Sequence, residues 1–158
     1  MEHALAEDLR PFGDPGSDNF RVDSYPFYLL NRAVSRYNVV IEGELRRIDL
    51  DIPSWRVLMI LGEREPLPIA QVAKSAVINI STMMRIVERM QKADLVETVR
   101  SEADGRVTEL LLTPKGREQL AKARQVTAPV YHRLIRGFSA TDFGRLLDYL
   151  NRLHDNLD

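Results

Sequence analysis

The sequence has no cysteine at all. That excludes disulfides, thiolate zinc sites and thiol-based redox sensing. Nor does it hold an apolar run approaching the roughly 18 residues that a membrane span needs, so no membrane partner is expected. The first residues, MEHALAEDLRPFGD, are acidic and lack the basic-then-apolar order of a secretory signal, so the expected location is cytoplasmic. An excess of positive charge is also missing: the formal net charge is −1. Global charge is a weak guide when acids cluster in one segment. Here Glu2, Glu7, Asp8, Asp14, Asp18 and Asp23 precede Ser24, against only Arg10 and Arg21. No phosphate-binding glycine loop, nucleophile elbow or Ser/His/Asp pattern points to catalysis. His3, His132 and His154 have no metal-type spacing, so neither a metal nor a cofactor is expected.

What the sequence does contain is helical punctuation. With 158 residues, 44% hydrophobic and 28% charged, the chain suffices for one packed domain with helical extensions. Pro11, Gly13, Pro15 and Gly16 stand among acids in residues 1–23, which predicts a mobile arm with at most a short helix. Ser24 followed by Pro26 reads as a helix start, and Leu30, Ala33, Val34, Tyr37, Ile41, Leu45 and Ile48 recur at helical spacing. Asp51 with Pro53 opens a second helix that stops near Gly62, and Glu65 to Pro68 reads as a turn. A short helix from Ile69 to Ser75, a break at Ala76 to Ile78, and an Asn79-capped helix from Ile80 to Lys92 have the spacing of a helix-turn-helix.

Two β-branched runs, Leu95 to Arg100 and Val107 to Leu112, flank a polar loop and predict a hairpin. Thr113-Pro114 then caps a helix expected to reach Arg136 and end at Gly137. Ser139 and Asp142 form a capping-box pair for the last helix, with Phe138 and Phe143 placed as a hydrophobic staple. The fold class is mainly α with a small β-hairpin wing: a winged helix-turn-helix between terminal helices.

The Ile80–Lys92 helix has two unlike faces. Met83, Ile86, Val87 and Met90 form an apolar stripe, while Thr82, Arg85, Arg89 and Lys92 face away, with Ser81 at the leading end. Arginine reaches guanine N7 and O6 bidentately, and hydroxyls take phosphate or base-edge contacts. The same face also suits a plain amphipathic surface helix with salt-bridged arginines. The hairpin shifts the balance, because Arg106 beside Gly105 is placed to enter a minor groove. Asp104 next to it reads either as an orienting partner for a basic side chain or as part of an Asp-Gly hairpin turn.

Ser81 to Met90, Leu95-Val96, Asp104-Gly105-Arg106 and Leu110 to Gly116 together resemble the MarR family (multiple antibiotic resistance regulators). Asp104, Arg106, Leu112 and Thr113 meet the family's Asp-x-Arg pattern followed after five residues by Leu-Thr. The resemblance runs from about Ser24 to the C-terminus. It implies a sequence-specific, ligand-responsive regulator, usually a repressor, that grips double-stranded DNA as a homodimer. Residues 24–50 and 114–158 would be the N- and C-terminal dimerisation helices around a DNA-binding lobe at 51–113, with 1–23 as the arm. Ser81, Thr82, Arg85 and Arg89 would meet the major groove, and Asp104 and Arg106 would form the wing tip. Two positions depart from the family: Ala76-Val77 and Asp94 stand where glycine is common.

The resemblance also implies a small aromatic carboxylate or phenolic effector. Tyr28, Arg32, Trp55, Arg56, Met59 and Met83 offer apolar and aromatic walls with placed cations. Trp55, Met59 and Met83 at helical spacing also read as core. The competing reading of the whole chain is a winged-helix protein-interaction adaptor, in which Arg85 and Arg106 would tolerate substitution.

Overall fold

A computed structural model describes residues 8–157. Glu2, His3 and Glu7, named above, lie outside the described residues. The described residues contain seven α-helices and a three-stranded antiparallel sheet. None of these helices is long and apolar enough to cross a membrane. The chain divides into two units, Met1–Gly43 and Glu44–Asp158.

In the first unit α1 is a single turn, Arg10–Gly13, and a 3-10 turn follows at Val22–Ser24. The segment between them folds back on itself: the Arg21 N–H donates to the Phe12 carbonyl at 2.8 Å, and its guanidinium lies 4.8 Å from the Phe12 ring centre. Helix α2 starts at Pro26, so Ser24 belongs to the preceding turn and is not the cap expected from the sequence. Proline's fixed φ suits a first helical position, which sets the start there. Helix α2 ends at Arg46, two residues earlier than the expected Ile48.

In the second unit α3 spans Ile52–Glu63, and the Asp51 carboxylate accepts from the Ser54 N–H as its cap. Helix α4 is Ile69–Ala76, and α5 is Ile80–Lys92, capped by Asn79 accepting from the Thr82 N–H at 2.8 Å. Apolar stripes face inward together: Val57, Leu58 and Leu61 of α3, Val72 of α4, and Met83, Val87 and Met90 of α5 are all at most 3% exposed. Packing α3 against both α4 and α5 leaves the other face of α5 outside.

The hairpin strands are β2, Val96–Arg100, and β3, Thr108–Leu112, with Val96 opposite Leu112 and Arg100 opposite Thr108. The expected turn at Glu65 to Pro68 is corrected in part. Leu67–Pro68 forms a short strand β1 on the other edge of β3, with Leu67 opposite Leu110. An edge position tolerates the missing proline N–H. Just before β1, the Glu65 carboxylate accepts the Leu112 N–H at 2.7 Å and also pairs with Arg117. It thereby satisfies a backbone donor of β3 that β1 is too short to reach.

Helix α6, Pro114–Leu134, begins under the Thr113 cap. The Thr113 hydroxyl donates to the Asp94 carbonyl at 2.6 Å and accepts from the Gly116 N–H at 2.9 Å, tying the end of the α5 turn to the start of α6. Gly137 takes φ +88° past its end. Helix α7, Ala140–Asp155, has the full Ser139/Asp142 capping box. Phe143 meets Tyr131 edge-on at 6.4 Å, a contact across the α6–α7 corner that the staple reading did not include.

Candidate nucleic-acid interface

Helix α5 follows a turn in which Val77 adopts φ +56°, ψ +47°. Its N–H donates to the Lys74 carbonyl and the Ile78 N–H to the Ala73 carbonyl, closing α4 with a left-handed residue. Asp49 and Asp94 close α2 and α5 in the same way, at φ 57° and 59°. Aspartate tolerates this conformation, whereas a β-branched residue is strained in it. Val77 is also 88% exposed, so burial does not compensate.

At 3.6 residues per turn, the middle of the outer face of α5 is marked by Ser81, Arg85, Glu88 and Lys92, all exposed. Thr82 and Arg89 run along one flank, and Ile80, Met84 and Gln91 along the other. Ser81, Glu88, Arg89 and Lys92 each have a definite engagement. The Ser81 hydroxyl donates to Asn79 Oδ1 at 2.8 Å, which ties it to the cap. Lys92 and Glu88 pair at 2.8 Å, and that hydrogen bond holds the Glu88 carboxyl below its ordinary range. Arg89 is turned back onto α3: it donates to Asp51 Oδ2 at 2.5 Å and to the Ser54 hydroxyl at 3.2 Å. Among the described residues no hydrogen bond or ion pair engages the Arg85 or Arg106 guanidinium.

The hairpin tip is closed by Ser101 N–H to the Val107 carbonyl and Val107 N–H to the Asp104 carbonyl. Asp104 accepts from the backbone N–H of Arg106 at 3.0 Å, so it shapes the loop and does not hold a basic side chain. Gly105 does not take a positive φ, which corrects the Asp-Gly turn reading. The loop is longer than a two-residue hairpin, so the mirror-image turn that needs glycine is not required. Arg100 reaches across it to the Gly105 carbonyl at 3.4 Å. The result is a polar loop with Arg106 exposed at its end.

The residues suggested for an effector fall in both units. Tyr28 and Arg32 lie one turn apart on α2, with the guanidinium 5.5 Å from the ring centre, and line an open hollow of about 720 Å³. In the lobe, Trp55 and Met83 are core residues, 7% and 0% exposed. Arg56 is half-buried with a long 3.5 Å contact to the Ala76 carbonyl, and Met59 is 37% exposed. The Trp55 indole N–H is buried and has no acceptor.

Sequence reasoning did not single out Ile80 and Met84 on the flank of α5, or Asp51, Ser54 and Glu65 as supports of the site. A signal for the first pair existed: Ile80 and Met84 are four residues apart yet off the buried stripe. The supports carried none, since their partners are distant in sequence.

Comparison with known proteins gives this geometry its setting. The pattern of the MarR family matches residues 48–107, which span the helix-turn-helix, β2 and the hairpin loop and stop where β3 begins. The HTH-type transcriptional repressor IacR of Pseudomonas putida is 38% identical over 145 residues, covering 92% of this chain and 87% of that protein. A MarR-family transcriptional regulator from Silicibacter pomeroyi superposes with a TM-score of 0.78 at 27% identity, over 87% of this chain and 93% of that one. Bordetella bronchiseptica BpsR, whose structure concerns regulation of its DNA binding by 6-hydroxynicotinic acid, shares the fold with a TM-score of 0.73 at 21% identity, over 82% and 93% of the two chains. With a winged helix-turn-helix, a free arginine on its outer helix and another on its wing, the chain belongs to the MarR family, and it is a DNA-binding transcription regulator of that type, not an enzyme.

Proposed function

We propose that this regulator is a repressor that binds a pseudo-palindromic operator as a homodimer and is released by a small aromatic acid or phenol. The observation that carries the reading is the unpaired state of Arg85 on α5 and Arg106 on the wing. A guanidinium left without a protein partner, on the outer side of α5 and again at the hairpin tip, is available to bases and phosphates. Thr82 and the Asn79-tethered Ser81 lie beside Arg85, at the end of the helix where recognition helices touch base edges. Arg89 supports the helix from the α3 side through Asp51.

Dimer formation is supported by the terminal helices. Helix α7 has no buried residue, although Leu146, Leu147 and Leu150 lie along it. Tyr131, Leu134 and Phe138 are also 45–55% exposed. So much uncovered apolar surface is characteristic of an interaction face. Two recognition helices in such a dimer would read half-sites about 10 base pairs apart. The effector reading is supported by Tyr28 and Arg32 on α2, an aromatic ring and a cation lining one open hollow.

The test is a titration of labelled duplex from the region upstream of the gene, with and without aromatic acids, with the mass of the complex read by light scattering. Tight binding by a dimer that millimolar acid abolishes is the expected result. Binding no better than to random duplex would overturn the operator reading and favour the adaptor. Operator binding unaffected by any acid, with an unmoved melting temperature, would remove the effector alone.

A further inference from the structure

Ile80 and Met84 are 51% and 52% exposed, one turn apart in the N-terminal half of α5. They leave the buried stripe of Met83, Ile86, Val87 and Met90 to run beside Ser81 and Arg85. Their flank faces the hairpin: Gln91, further along it, donates to the Thr98 hydroxyl of β2 at 3.2 Å. The polar groups nearby have limited reading capacity. The Ser81 hydroxyl donates to the cap, Glu88 and Lys92 hold each other, and Arg89 is held by Asp51. Arg85 and Thr82 remain as polar readers. The apolar pair is continuous with them and needs a nonpolar counterpart at the same depth.

A major groove offers one such group, the thymine 5-methyl. We propose that Ile80 and Met84 make this regulator select thymine by packing on 5-methyl groups beside the base that Arg85 reads. The inference rests on α5 being the helix that enters the major groove. It adds a specificity element that charge and hydrogen bonding do not supply. Two side chains one turn apart would select thymines at neighbouring steps of one half-site.

Deoxyuridine differs from thymidine by that methyl alone, so replacing it position by position in a duplex obtained by in vitro selection isolates the contact. For the full-length protein, the expected loss at a contacted position is about three- to fivefold in affinity, the equivalent of one buried methyl. Met84→Ala and Ile80→Ala should each bind thymidine and deoxyuridine forms alike at one position and keep the wild-type preference elsewhere. Both side chains are exposed, so melting temperatures should stay near wild type, and Met84→Leu should retain the discrimination. Equal binding of every deoxyuridine duplex by the wild-type protein, while sequence preference persists, would overturn the inference and leave the DNA reading standing. Full thymidine preference in both alanine variants would overturn it too. Absence of any preference over random duplex would remove it together with the DNA reading.

Discussion

Asp51 and Arg89, 38 residues apart, share one carboxylate that does two jobs. Oδ1 caps α3 by accepting from Ser54 N–H at 2.8 Å, and Oδ2 holds the Arg89 guanidinium at 2.5 Å. The start of α3 and the second half of α5 are thereby fixed to one point. Asp51→Ala should cost about 1–2 kcal/mol, mostly from the lost cap. The ion pair adds at most about 1 kcal/mol, because both partners are substantially exposed. Asp51→Asn should recover the cap share alone. Urea unfolding of the two variants checks this, and equal losses would mean that the cap contributes nothing.

Arg85 and Arg106 should respond differently to alanine. Losing Arg106 should weaken binding similarly across sequences and lower the slope of log affinity against log salt by about one unit, if it neutralises a phosphate. Losing Arg85 should cost about 1–3 kcal/mol at one base position and relax the preference there. Anisotropy titrations at several salt concentrations separate the two. A wild-type slope in Arg106→Ala would remove the wing contact.

Val77 is a point of strain open to relief. A β-branched residue in the left-handed region costs about 1–3 kcal/mol, and at 88% exposure it has little packing to lose. Val77→Gly should stabilise the lobe by about 1 kcal/mol after glycine's larger unfolded-state entropy is subtracted. Thermal melting gives the sign directly, and a lower melting temperature would contradict the strain argument.

Gly116 permits no side chain. A Cβ there would overlap the Leu95 carbonyl, which is backbone and has little room to shift. Gly116→Ala should therefore destabilise by about 3 kcal/mol or more, by moving α6 off the end of the α5–β2 turn. A fall in chemical denaturation midpoint of that size is the expected reading.

Acid should loosen the start of α7. The Ser139 hydroxyl and then its N–H, at 2.6 and 3.2 Å, hold the Asp142 carboxyl below its ordinary value of 3.8. A lowered folded pKa means that its stabilising contribution is present above 3.8 and is lost as pH falls below that through the folded value. An NMR pH titration should show Asp142 titrating low in the wild type and returning toward the ordinary value in Ser139→Ala.

The sequence by itself determined what short-range chemistry decides. Asp51, Asn79, Thr113 and Ser139 each cap a helix by accepting an N–H three residues on, so position along the chain was enough to read them. The hairpin and the buried stripe of α5 were legible for the same reason, as local periodicity and local backbone preference. Tertiary structure decided the rest. Arg89 sits at the right helical spacing to face outward, yet a carboxylate 38 residues earlier turns it back. Glu65, 47 residues before Leu112, completes the edge of β3 where a two-residue strand falls short. Trp55 and Met83 read more strongly as core than as pocket walls from their spacing, and the packing of α3, α4 and α5 buries both. Groups within one helical turn are brought together by the backbone itself, whereas distant groups meet only when burial of apolar faces fixes how the elements pack.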